Sequence, residues 1–125
     1  MSVKFQEEQK NTKMPTENKV GYDVYIQSDT EISSGRNMTL KLGFSIPESP
    51  EVDGYFFELF ITEKLGRDGL ILSNGVGILI PEKGREITMS VFTPLNDPCS
   101  YENRNVILER GDIVGQIIPR KIIKL

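Results

Sequence analysis

The run Leu72-Ser73-Asn74-Gly75-Val76-Gly77-Ile78-Leu79-Ile80-Pro81-Glu82-Lys83-Gly84-Arg85-Glu86-Ile87-Thr88 decides the fold class. An apolar strand runs to Ile80, and Glu82-Lys83-Gly84 makes a tight turn. Glu86 to Thr93 then sets Ile87, Met89 and Val91 against Thr88 and Ser90. A period of two sends successive side chains to opposite faces, so the stretch predicts a hairpin of half-buried strands rather than helix.

The same grammar extends both ways. Val20, Tyr22, Val24 and Ile26 alternate with Gly21, Asp23 and Tyr25, and Met38 to Ile46 alternates again before Pro47. Tyr55 to Thr62 is apolar and aromatic, Val106-Ile107-Leu108 starts a strand broken at Arg110-Gly111-Asp112, and Ile113 to Leu125 closes the chain. Turn chemistry separates them at Ser33-Ser34-Gly35, Glu48 to Gly54, Glu63 to Gly69 and Pro94 to Asn103. Short strands spaced roughly 8–12 residues apart predict an all-β, mostly antiparallel sandwich or barrel. No stretch of ten residues has helical period.

With 125 residues, 26% charged and 38% hydrophobic, the chain is expected to form one globular domain over residues 1–125. Residues 1–18 are polar and are expected to form a loose N-terminal arm. The net charge of −3 offers no basic excess for nucleic acid or anionic lipid. The basic Arg120-Lys121-Ile122-Ile123-Lys124 reads as a solvated last strand. A single cysteine, Cys99, cannot form an intrachain disulfide, and the absence of histidine removes its base along with His-based zinc sites and Ser-His-Asp triads. No apolar run reaches the ~20 residues of a membrane span, and Met1 to Lys19 has no signal-like apolar core. These features together predict an intracellular protein, cytoplasmic or nuclear.

Four segments, in order, resemble the dUTPase family. Val20-Gly21-Tyr22-Asp23-Val24-Tyr25 is similar to its Ala-Gly-Tyr-Asp-Leu-Tyr motif. Gly35-Arg36 with Leu42-Gly43-Phe44-Ser45-Ile46-Pro47, the hairpin Leu72 to Ser90, and Glu109-Arg110-Gly111-Asp112-Ile113-Val114-Gly115-Gln116 carry the rest. The resemblance spans about residues 14–123 and implies a jelly-roll-like β-barrel, monomeric or assembled as a homotrimer.

It also implies where the family's chemistry would lie, and much of that chemistry is missing. The aspartate that activates water falls on Ile80 and the tyrosine beneath the deoxyribose on Lys83, so no catalytic residue is assigned. A general base needs a lone pair within hydrogen-bond reach of the water, which isoleucine lacks; Glu82 lies about 7 Å further along the strand. The phosphate-binding arginines fall on Ile61 and Ile113, Glu63 stands beside the first of them, and the Gly-rich closing arm has no counterpart before Leu125. In the related dCTP deaminases the catalytic glutamate position corresponds to Ser90. A vestigial substrate pocket remains in outline at Asp23, Asn74, Gly75, Gly77 and Gln116. Asn74, Gly75 and Gly77 suit either a base edge or merely a tight bend, and Asp23 either a magnesium-bound water or a hydrogen bond to a neighbouring loop.

The resulting expectation is a catalytically inactive, dUTPase-derived protein that binds a protein partner. The chain resembles the dUTPase-derived early-region-4 proteins of adenoviruses, which implies a viral source. Their PDZ-binding tails would correspond here to Ile123 and Leu125, which otherwise belong to a closing strand. The alternatives are a non-catalytic binder of dUTP or dUMP, and an active dUTP diphosphatase with relocated residues. No metal or cofactor is expected, except Mg²⁺ in the active-enzyme case.

Overall fold

Alternating side chains and frequent turn residues cut the chain into short extended pieces, and the computed structural model describes residues 3–73, 75–94 and 105–123. The first six strands are β1 (Gln6–Glu7), β2 (Thr16–Glu17), β3 (Tyr22–Tyr25), β4 (Thr30–Ile32), β5 (Met38–Lys41) and β6 (Phe44–Ser45). A 3-10 turn at Pro50–Val52 precedes β7 (Tyr55–Ile61), and one short helix, α1 (Glu63–Arg67), follows it. The chain continues through β8 (Ile71–Leu72), β9 (Gly77–Leu79), β10 (Thr88–Phe92), β11 (Val106–Leu108) and β12 (Ile113–Lys121).

Every ladder among the described residues is antiparallel. The largest sheet runs β2-β3-β12-β7-β9, a second runs β5-β10-β8, and β1-β6 and β11-β4 are two-stranded ribbons. The expected all-β antiparallel class holds. The ladders form separate sheets and close no continuous barrel among the described residues.

The period-two pattern explains which faces meet. On β7, Phe57 and Leu59 are buried while Phe56, Glu58 and Phe60 are half-buried; on β10, Met89 and Val91 are buried between exposed Thr88 and Ser90. These inward residues join Val24, Leu42, Phe44 and Ile117 in one apolar cluster. Full burial of one such side chain stabilises by about 1.5–3 kcal/mol. Two glycines let the central strands approach. A Cβ on Gly21 would lie 2.1 Å from the Ile117 carbonyl oxygen, and one on Gly115 would lie 2.5 Å from that of Phe60.

Four expectations need correction. Residues 3–18 are not a loose arm. β1 pairs with β6 and β2 with β3, Val3 is buried, and the Phe5 ring meets Tyr22 and Phe44 edge-on at 4.9 and 5.3 Å. The polar residues there find partners far along the chain: Ser45 Oγ donates to Glu8 Oε1 at 2.7 Å, and Glu86 Oε2 accepts from the Gly43 amide at 2.9 Å and from the Gln9 side chain. A polar sequence can still be tied down when its polar atoms are hydrogen-bonded.

The hairpin also resolves differently. β9 pairs with β7, whereas β10 pairs with β5 and β8, so the two expected hairpin arms belong to different sheets. Buried Pro81 sits between them and has no amide hydrogen, so a ladder between the two arms cannot form through it. The Glu82 amide donates instead to the Ile46 carbonyl at 2.8 Å, carrying the chain across to the second sheet. Met38 to Ile46 breaks into β5 and β6 at Gly43, whose φ is +80°. Finally, the Glu63 to Gly69 turn contains α1, too short to show a helical period; Thr62 Oγ1 caps it by accepting from the Leu65 amide at 3.4 Å. Cys99 and most of the Pro94 to Asn103 loop lie outside the described residues.

Candidate functional site

Antiparallel register brings two of the sequence-predicted residues together. Gln116 of β12 stands directly opposite Asp23 of β3, and on its other side opposite Phe60 of β7. Directly opposed residues in a ladder lie about 4.5–5.5 Å apart at Cα, so the amide and the carboxylate share one face of the large sheet. Both side chains are half-buried.

A third residue completes the cluster, and sequence reasoning missed it. Asn18 Nδ2 donates to Asp23 Oδ1 at 3.0 Å and approaches Gln116 Oε1 at 3.4 Å. Its Oδ1 accepts from the amides of Val20 at 2.9 Å and Gly21 at 2.7 Å. An asparagine that binds the amide two residues ahead forms an Asx turn, which fixes the reversal between β2 and β3. The signal was in the sequence, since Asn18 precedes Gly21 by three residues, but the segment was read as an arm. Asp23 is thus hydrogen-bonded to the loop beside it.

The remaining predicted positions lie elsewhere. Gly77 is on β9, opposite Leu59, with β7 separating it from β12. Gly75 sits in the preceding turn at φ +77°, its amide donating to the Leu72 carbonyl at 3.0 Å; Asn74 lies outside the described residues. Within one chain, therefore, the turn glycines and the Asp23–Gln116 pair do not share a cleft. Lys83 is exposed at the tip between Pro81 and Gly84.

The three isoleucines at polar family positions are likewise dispersed. Ile80 is 70% exposed and lines a groove of about 630 Å³ with Pro81, Val52, Tyr55 and Ile122. Ile113 is 45% exposed and lines a different groove of about 1060 Å³, where Lys13, Lys64 and Arg67 also stand. Ile61 packs partly buried against the core. Among the described residues of one chain, these three isoleucines therefore do not line one groove. Neither Asp23 nor Gln116 lines either groove.

Glu82 is committed elsewhere as well, because its Oε2 accepts from Arg85 Nη1 at 3.1 Å. Among the described residues no group of three or more carboxylate or thiol side chains is placed to hold a metal ion. Beside the smaller groove, the Glu51 carboxyl is held below its ordinary value, chiefly by a backbone hydrogen bond and then by the Ser49 side chain. At the C-terminal end, the Ile122 amide donates to the Gly54 carbonyl at 2.7 Å, and Ile123, beyond β12, is 79% exposed. Leu125 lies outside the described residues.

No protein-family model matches the chain, and no curated protein matches it in sequence. Solved structures do match it in fold. The dUTPase of Streptococcus mutans superposes with a TM-score of 0.74 at 21% identity, covering 97% of this chain and 97% of that one. A mutant dUTPase from phage phi11 of S. aureus, described with a structural Mg(II) ion, gives 0.81 at 13% identity, covering 100% and 94%. A mutant of the Staphylococcus bacteriophage 80alpha dUTPase, studied with dUpNHpp, gives 0.81 at 14% identity, covering 99% and 85%. The chain has the dUTPase fold.

Proposed function

We propose that this chain is a dUTPase-fold protein without dUTPase activity, acting by binding a protein partner inside the cell. The observation that carries this reading is Ile80: the position from which the resemblance would have a carboxylate align water holds a solvent-exposed hydrocarbon. The nearest carboxylate in sequence, Glu82, is engaged by Arg85. A regulatory role has a parallel on this fold, since the phage 80alpha dUTPase is described as controlling transfer of virulence genes by a proto-oncogenic G protein-like mechanism. Another study describes the phage 80 dUTPase as having SaPI-inducing capacity. A viral source for this chain is part of the proposal.

The reading is tested by incubating the purified chain with dUTP and Mg²⁺ and measuring pyrophosphate release. No turnover above the uncatalysed background is expected; hydrolysis at an ordinary enzymatic rate refutes the proposal. A second reading, a nucleotide binder that does not hydrolyse, is favoured by the Asn18–Asp23–Gln116 cluster. Calorimetric titration with dUpNHpp separates the two, because saturable binding without turnover supports the second. Light scattering decides whether the chain is a monomer or forms the homotrimer that the resemblance implies.

A further inference from the structure

We infer that β9 is a docking edge for one extended, uncharged strand of a partner protein, added to the large sheet by backbone pairing. The proposal rests on the partner-binding reading and names the surface that would carry it. β9 is the last strand of its sheet, and among the described residues its backbone pairs only with β7. In an antiparallel edge strand, alternate N–H and C=O groups point away from the sheet. Such an edge is a template for another strand unless charge, proline or a covering element blunts it.

Among the described residues no charge, proline or pairing strand blunts β9, whose one protection is its length of three residues. Its core sequence is Gly77-Ile78-Leu79, flanked by Val76 and Ile80, with no charge and no proline from Val76 to Ile80. Val76, Ile78 and Ile80 fall on one pleat face and are 39%, 67% and 70% exposed. The opposite edge, β2, shows the usual protection: exposed Thr16 and Glu17, followed by Asn18 and Lys19. The shelf continues inward across Phe56, Phe60 and Ile118, all half-buried. Its one carboxylate, Glu58, opposite both Ile78 and Ile118, is neutralised by Arg120 at 3.0 Å.

Area decides what the occupant is. The shelf is three strands wide and five residues long, on the order of 200 Å² by strand spacing and rise. A stable protein–protein interface needs about 800 Å² per partner, so this patch is too small to hold a second folded copy by its face alone. A single added strand draws on backbone hydrogen bonds as well, and three of its apolar residues at period two would stand beside Val76, Ile78 and Ile80 on the same face of the sheet.

The probe is an acetylated, amidated peptide Lys-Val-Thr-Val-Thr-Val-Lys, titrated into the full chain and followed by amide exchange and calorimetry. Two analogues, N-methylated at the three valines or at the two threonines, each block one backbone edge while keeping all side chains. Saturable binding is expected, with slowed exchange at residues 77–79. Because blocking one backbone edge removes several hydrogen bonds at once, one analogue should bind at least about tenfold more weakly. Ile78→Lys, at a 67% exposed position, should keep the circular-dichroism spectrum of the unsubstituted chain and weaken binding of the parent peptide by a similar factor. Absence of saturable binding by about 1 mM, or equal binding of the parent and both analogues, overturns the proposal. Self-association abolished by Ile78→Lys in light scattering overturns it too, by making a second copy the occupant. dUTP hydrolysis, by contrast, would refute the partner-binding reading and leave the exchange result at β9 standing.

Discussion

Replacing Asn18 with alanine removes the side-chain bonds of the turn and the link to the Asp23–Gln116 face, while the residue-18 amide keeps its bond to the Gly21 carbonyl at 2.8 Å. Of the two bonds the Asn18 Oδ1 accepts, the one from the exposed Val20 amide is readily replaced by water. The bond from the Gly21 amide, at 2.7 Å and partly buried, is not, and its loss costs about 1 kcal/mol. The donation to the Asp23 carboxylate at 3.0 Å is charge-assisted but half in solvent, and contributes about another 1 kcal/mol. The 3.4 Å approach to Gln116 is too long to add much. The sum is about 2 kcal/mol. An unfolding entropy of about 2.1 cal/mol/K per residue is roughly 0.26 kcal/mol/K for a chain of 125 residues, so Tm should fall by about 8 °C. A thermal melt followed by far-ultraviolet circular dichroism measures this directly. A drop under about 2 °C would refute the reasoning, because the β2–β3 connection would then not be held by this side chain.

Three further predictions follow from packing and exposure. Gly21→Ala places a methyl 2.1 Å from the Ile117 carbonyl and should cost more than about 3 kcal/mol in urea denaturation, by forcing β3 from β12; a near-neutral result contradicts the close approach. Phe57→Ala should destabilise by about 3–5 kcal/mol and its neighbour Phe56→Ala by about 1–2 kcal/mol, a contrast that equal values in the same titration would remove. Ile80→Asp should shift stability by no more than about 0.5 kcal/mol, since the side chain is 70% exposed. It should also leave the chain unable to hydrolyse dUTP, because Ile61 and Ile113 still occupy the cation positions; measurable pyrophosphate release would show that one carboxylate suffices.

The parts legible in the sequence were those set by neighbours along the chain. Phe57 and Leu59 against Glu58, or Met89 and Val91 against Ser90, announce a buried and an outward face because side chains alternate along any extended backbone. Gly43 reads as part of one continuous strand, although its φ of +80° divides that strand in two. Pairing was not legible, because it is settled by contacts between distant residues. Glu86 to Thr93 follows the β9 segment in sequence, yet β9 lies against β7 and β10 against β5 and β8. The N-terminal strands were hidden for the same reason, their polarity being satisfied by Ser45 and Glu86, which lie tens of residues away.

The candidate site divides along the same line. The sequence by itself determined which chemical groups are present and which are gone: a carboxylate at Asp23, an amide at Gln116, and hydrocarbon at Ile61, Ile80 and Ile113. Only the tertiary structure decided which of them meet. The β3–β12 register sets Asp23 against Gln116 and the Asn18 turn binds them, while β7 holds Gly77 at the far edge of the sheet. Residue identity is written in the chain; proximity comes from cross-strand hydrogen bonds and core packing, whose partners no local pattern names.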